Sequence, residues 1–195
     1  MDVTVTHQDA ELLRQFGLVP GLKELLMLRQ VHALEHATVW MLGGTPKRTT
    51  HRAITQDADR FGGLSTEQGF YLFGAVETTY LAQAVHKALH RLVTGESHLA
   101  IHPRCGTNLA VHLTVSAGLA MGGHMVLPKD PLSQFLGLGA ALTLAAQVSP
   151  TIGDWLQVNV TTAIPFNLQI QDIQPVAPMQ GQPTHFVTVR WREGL

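Results

Sequence analysis

Cys105 to Gly153 reads CGTNLAVHLTVSAGLAMGGHMVLPKDPLSQFLGLGAALTLAAQVSPTIG, and its only charged residues are Lys129 and Asp130. Pro128 and Pro131 box that pair into a short polar turn. From Cys105 to Pro128, and again from Pro131 to Gly153, there is no Asp, Glu, Lys or Arg. A helix of roughly 20 residues crosses ~30 Å of hydrocarbon. The spacing therefore predicts a transmembrane helical hairpin, Asn108–Leu127 and Leu132–Val148. Gly118 and Gly122 form a small-xxx-small pair, and Ala117, Gly137, Gly139 and Ala140 keep side chains slim, as helices in close contact within lipid require. The competing reading is a buried hairpin in a soluble core, which His112, Gln134 and Gln147 favour.

Composition narrows the classes. Charged residues are 14% of the 195, against roughly a quarter in soluble domains. The net charge of −1 carries no nucleic-acid footprint. Eleven histidines nearly match the 13 Lys plus Arg. Cys105 is the single cysteine, so there is no internal disulfide framework and the thiol serves packing, metal binding or chemistry. Met1 to His7 shows neither a basic nor an apolar leader region, and no cleavable signal peptide is expected.

The flanks of the hairpin predict a compact α+β part, so the fold class expected is mainly α with a small β part. Leu22–Leu42 is helical and ended by Gly43-Gly44 with Pro46 following. Thr45–Gly63 is polar, a loop or short helix. Gly69–Gly74 is a strand or a helix lead-in, and Val76–Val93 an amphipathic helix broken by Thr94-Gly95-Glu96. Asn167–Ile173 and Thr184–Trp191 alternate as half-buried strands do. The segment between them, with Pro175, Pro178, Gly181 and Pro183, reads as a loop. The expected regions are 1–107, bearing the candidate metal motifs; 108–150, the hairpin; and 151–195, a linker with short strands. A hairpin puts both termini on one side. That side carries Arg14, Lys23, Arg29, Lys87 and Arg91, together with Lys47, Arg48, Arg52 and Arg60, so a cytoplasmic body is expected.

His32-Ala33-Leu34-Glu35-His36 is an H-x-x-E-H sequence inside a predicted helix. Residues four apart share a helix face, so both imidazoles can reach one ion. In the inverted zincin arrangement the glutamate is general base toward water on the metal. The competing reading makes His36 a hydrogen-bonded core histidine. The second cluster is His102-Pro103-Arg104-Cys105-Gly106-Thr107-Asn108. His102 and Cys105 are three apart, and Cys105 precedes a helix N-terminus that favours thiolate. Thr107 or Asn108 can cap that helix. The plainer reading is a capped helix start with Arg104 at the headgroups. Together His32, His36, His102 and Cys105 supply four donors suited to Zn²⁺. With all four on the metal the site is closed and structural; with one off it, Glu35 has a catalytic place. His86 and His90 read as an exposed polar face. Glu77 is a candidate extra carboxylate, His112 a polar group within a span, and His124 an interfacial one.

These blocks resemble an uncharacterised family of cyanobacterial membrane proteins known only as a domain of unknown function. More distantly they resemble the YqhQ-like proteins, for which metal-dependent enzyme activity is inferred. The resemblance rests on His32 to Thr38, His102 to Asn108, and Gln157 to Thr161-Thr162; the cyanobacterial one spans roughly Leu25 to Ile173, the YqhQ-like one only these blocks and the hairpin. In the last block three residues separate Gln157 from the threonine pair, a departure from the YqhQ-like Q-x-x-T-T. The resemblance implies a metal, a membrane location and matching roles for His32, Glu35, His36, His102 and Cys105. It implies no substrate.

Three functions follow as expectations. The first is a membrane-anchored zinc-dependent hydrolase or peptidase, with Glu35 as base and Arg104 stabilising an oxyanion. The second is a membrane scaffold or assembly factor with a structural zinc site, its partners being the bilayer and membrane protein complexes. The third is a haem or tetrapyrrole binder using His112 or His36, without a C-x-x-C-H for covalent attachment. No nucleic-acid partner is expected.

Overall fold

The computed structural model describes residues 8–43 and 61–192. These divide into two compact units, Met1–Ile101 with Thr162–Leu195, and His102–Thr161. The protein is mainly helical with a small antiparallel sheet.

In the first unit α1 (Gln8–Phe16) leads through a turn to α2 (Leu22–Gly43). A hairpin, β1 (Gly62–Thr66) and β2 (Gly69–Phe73), is followed by α3 (Thr78–Val93) and a 3-10 turn, Ser97–Ala100. The chain returns to this unit for β3 (Leu168–Met179) and β4 (Gln182–Trp191). All pairings are antiparallel, in the order β1-β2-β4-β3. Leu34 of α2, Leu81 and Val85 of α3, and Phe70, Leu72 and Val187 of the sheet are fully buried in one cluster, so a helix layer covers a sheet layer. The first half of α2 is partly exposed, but Gln30 through Trp40 is buried apart from a half-buried His32. Polar groups buried there are paired: Gln30 Nε2 donates to Asp9 Oδ2 at 2.9 Å, and the Asn167 backbone N–H donates to Gln30 Oε1 at 3.1 Å.

Two expectations change in this unit. Gly62 and Gly63, read as loop, begin β1; glycine gives a strand no side-chain pattern to read. The remainder of that segment, 45–60, with Lys47, Arg48, Arg52 and Arg60, lies outside the described residues. The proline-bearing segment read as a loop is mostly strand, since β3 runs to Met179 and the turn is Gln180-Gly181 alone. β3 is an edge strand, where the missing N–H of Pro175 and Pro178 is tolerated. The left-handed φ of 53° at Gln180 and 74° at Gly181 matches a two-residue hairpin turn.

The second unit is a helical hairpin, α4 (Gly106–Val126) and α5 (Pro131–Leu156), extended by a π turn over Gln157–Thr161. Asp130 caps α5, its carboxylate accepting from the Ser133 N–H at 2.9 Å, and Pro131 occupies the first turn, where its missing N–H costs nothing. Both helices are long and apolar enough to cross a membrane by length and composition. Only 6% of the apolar window of α4 and 17% of that of α5 is buried. α5 meets α4 through Ala141, Ala145, Ser149 and Gly153, buried at every fourth position. A Cβ on Gly153 would collide with Asn108, and one on Gly137 with Leu127. Gly118 and Gly122, expected at this contact, are not in it: a Cβ on either meets nothing. The small residues that matter are on α5.

Candidate metal centre

α2 places His32, Glu35 and His36 in the buried second half of the helix. The His32 and His36 rings lie with centroids 4.3 Å apart, tilted 60° to one another, neighbours as four-residue spacing dictates. His36 Nδ1 lies 2.6 Å from the Ala100 carbonyl oxygen. A carbonyl only accepts, so Nδ1 carries the proton and a neutral ring keeps its lone pair on Nε2. Backbone carbonyls commonly orient metal-binding histidines in this way. Trp40 Nε1 donates to the Ile101 carbonyl at 2.9 Å, a second tie between α2 and the residues after the 3-10 turn.

Glu35 is buried, and its carboxylate accepts from Ser65 Oγ at 2.7 Å. A Cβ on Gly63 would collide with that carboxylate, so β1 seats Glu35 with one hydroxyl and one missing side chain. Burial pushes the Glu35 pKa up, while the Ser65 hydroxyl and then His32 pull against it. Ser65 and Gly63 were not found by sequence reasoning. They are some thirty residues from Glu35 in a glycine-rich strand, and no local spacing links them.

In the second unit Cys105 is the N-cap of α4: its sulfur accepts from the Thr107 N–H at 3.4 Å. The cap is therefore Cys105 and not Thr107 or Asn108. His102 is buried, and its Nδ1 accepts from the Arg104 N–H at 3.3 Å. Burial, then the positive charge of Arg104, lowers the His102 pKa to about 4. The Arg104 side chain itself is exposed. The His102 N–H donates to Gln157 Oε1 at 2.9 Å, Gln157 Nε2 donates to Asn108 Oδ1 at 2.9 Å, and Asn108 Nδ2 donates to the Pro103 carbonyl at 2.9 Å. Gln157, a residue of the family resemblance, thus ties the end of α5 to the His102–Asn108 block.

The other candidates fall elsewhere. Glu77, expected as an extra carboxylate, caps α3 by accepting from the Thr79 and Tyr80 N–H groups. His86 and His90 are exposed on α3. His112 is half-buried on α4, and His124, near the hairpin turn, pairs with Gln134 at 2.7 Å.

Residues 27–173 match the family described as domain of unknown function DUF6391. The chain is also 49% identical, over 186 residues, to an uncharacterised protein of Picosynechococcus sp., covering 95% of this chain and 90% of the relative. No solved structure matches. These matches do not show the YqhQ-like resemblance. His32, Glu35, His36, His102, Cys105 and Gln157 all lie within the matched residues, and the chain belongs to the DUF6391 family of cyanobacterial proteins.

Proposed function

We propose that this is a membrane-anchored metal-binding protein in which His32, His36 and Cys105 hold a divalent ion, with zinc the ion that suits two imidazoles and a thiolate. The observation that carries the reading is the preparation of α2: two adjacent imidazoles, one fixed by Ala100 so that Nε2 keeps its lone pair, beside a buried carboxylate. The covalent chain supports Cys105 as the third donor. Ala100, which holds His36, is followed two residues later by His102 and five later by Cys105, a reach of at most about 18 Å for an extended chain at about 3.6 Å per residue. His102 would be a fourth donor in a closed site. The tautomer implied by its Nδ1 accepting from Arg104 favours the three-donor version, which keeps a position open as hydrolytic sites do.

A metal there would supply Lewis acidity toward a carbonyl or water. Glu35, its pKa raised, is suited to take up a proton at neutral pH, and Arg104 is the nearest cation in sequence to steady a developing oxyanion. The reaction class this supports is hydrolysis of an acyl bond at a membrane surface. α4 and α5 would span the bilayer, their outward side chains in lipid and both termini on the cytoplasmic side; the exposure of Met125 at 74% and Phe135 at 72% supports that solvent for them.

Elemental analysis of protein purified in mild detergent tests the site. About one zinc per chain is expected from a single tetrahedral site, with loss of it in His36→Ala and in Cys105→Ala. Full retention in both variants refutes the ligands. Glu35→Gln is expected to keep the metal; loss of zinc in that variant would make Glu35 a ligand and not a base.

A further inference from the structure

Phe16-Gly17-Leu18-Val19-Pro20-Gly21 ends α1 and leads into α2, and all of it is exposed. It holds no polar side chain. Leu18 is 100% exposed and Val19 53%. Leu12 of α1 and Leu25 and Leu28 of α2 are exposed beside it. Runs of about four exposed apolar residues are avoided in water unless something binds them. The chain has little of its own to cover this one. Residues 1–7 offer Met1, Val3 and Val5 as apolar side chains, and residues 44–60 offer Pro46, Ala53, Ile54 and Ala58 beside six charged residues.

Within the same unit, α2 also holds the residues at which the chain returns from α5. The Ala163 N–H donates to the Arg29 carbonyl at 3.0 Å, and Arg29 Nη2 donates to the Thr162 carbonyl at 3.3 Å. Leu25 lies about one helical turn before Arg29, and the start of α2 at Leu22 is about 10 Å from it along the axis. The apolar end of α2 is therefore tied directly to the return from the apolar hairpin. We infer that the turn between α1 and α2 dips into the bilayer as a second, interfacial anchor; this rests on the reading that α4 and α5 span that bilayer. Phe16, Leu18 and Val19 enter the boundary between headgroups and acyl chains, ~5–10 Å deep. Arg14 and Lys23, exposed on either side of the uncharged run, keep their charges at the headgroups and their stems along lipid. Tethering makes lipid the nearest apolar phase, so a small apolar area suffices for contact. The anchor holds α2, and with it His32 and His36, at the membrane surface.

The test is photolabelling of the full chain in phosphatidylcholine vesicles that carry a phospholipid with a diazirine on its acyl chain, with labelled residues located by mass spectrometry. Label is expected at residues 16–19, and at Met125 and Phe135 of the hairpin. Tyr80 of α3, also 53% exposed, should stay unlabelled. Leu18→Asp combined with Val19→Asp should abolish label at residues 16–19 and leave the hairpin labelled. Thermal unfolding in detergent should not change, since both side chains are exposed. Label in the hairpin without label at residues 16–19 overturns the anchor alone, whether residues 1–7 or a second copy covers them. Label at residues 16–19 without label in the hairpin overturns the spanning reading and keeps the anchor. Equal label at Tyr80, which would report mere exposure, overturns the proposal, as does label at residues 16–19 that persists in the double variant.

Discussion

Glu35 is held by a hydroxyl from a different element, and two substitutions separate that hydroxyl from the space beside it. Ser65→Ala removes the bond to a buried carboxylate and is expected to cost about 1–3 kcal/mol. Because burial has already raised the Glu35 pKa above its unfolded value, its contribution to stability is full below the unfolded pKa and declines as pH rises through the folded one. The Ser65→Ala penalty should therefore be larger at neutral pH than in acid. Gly63→Ala pushes a methyl into the same carboxylate and should cost about 1–3 kcal/mol by overpacking. His102 titrates with the opposite sign. Its pKa falls from 6.5 to about 4, so its contribution is full above 6.5 and is lost as pH drops from there toward 4. In metal-free protein, His102→Gln should flatten this acid limb of a thermal-unfolding profile; an unaltered limb would assign acid instability to another group. At this scale His32, Glu35 and His36 were legible because helix periodicity fixes their common neighbourhood. Ser65 and Gly63 were not, because only tertiary pairing brings β1 to α2.

Among the elements, the hairpin was the most legible, since long charge-free runs have few structural uses. Which small residues make its contact was legible only in part: Gly137 meets Leu127 as its small size suggested, while Gly153 was not singled out. Gly118 and Gly122 fit the pattern, yet α5 presents its own stripe, and the pattern cannot say which face turns inward. Gly153→Ala is expected to lower the melting temperature through its collision with Asn108. Gly118→Ala meets nothing and should be neutral or stabilising by up to about 1 kcal/mol from helix propensity. Equal effects of the two would mean that the helices meet on another face. β1 and the outer half of β3 were missed for one reason: Gly and Pro are read as loop, while a strand at an edge accepts both. The α3 boundary shifted by two residues because Glu77, an acceptor for the first free N–H groups, starts the helix after itself.

For the molecule as a whole, the two-unit division makes the hairpin an insertion within the α+β unit. The spanning reading gives it a direct check. Lys129 is the only Lys or Arg between Cys105 and Gly153, so trypsin added to sealed vesicles should cut either at Lys129 or at sites in the α+β unit, never at both from one side. Cleavage at both in intact vesicles would place the hairpin outside the bilayer. Leu136→Arg, at an exposed apolar position of α5, should weaken membrane insertion by about 2.5–3.5 kcal/mol and shift protein into the soluble fraction on alkaline extraction.

The sheet order also sets a sequence of events in time. β4 lies between β2 and β3, yet it is the last strand along the chain. Until it emerges, β1 and β2 are an isolated two-stranded hairpin, marginal by itself, and the sheet face behind Glu35 is incomplete. α4 and α5 are both synthesised before that. A chain of this topology settles its apolar hairpin first, and its histidine-bearing helix acquires a finished floor only at the end.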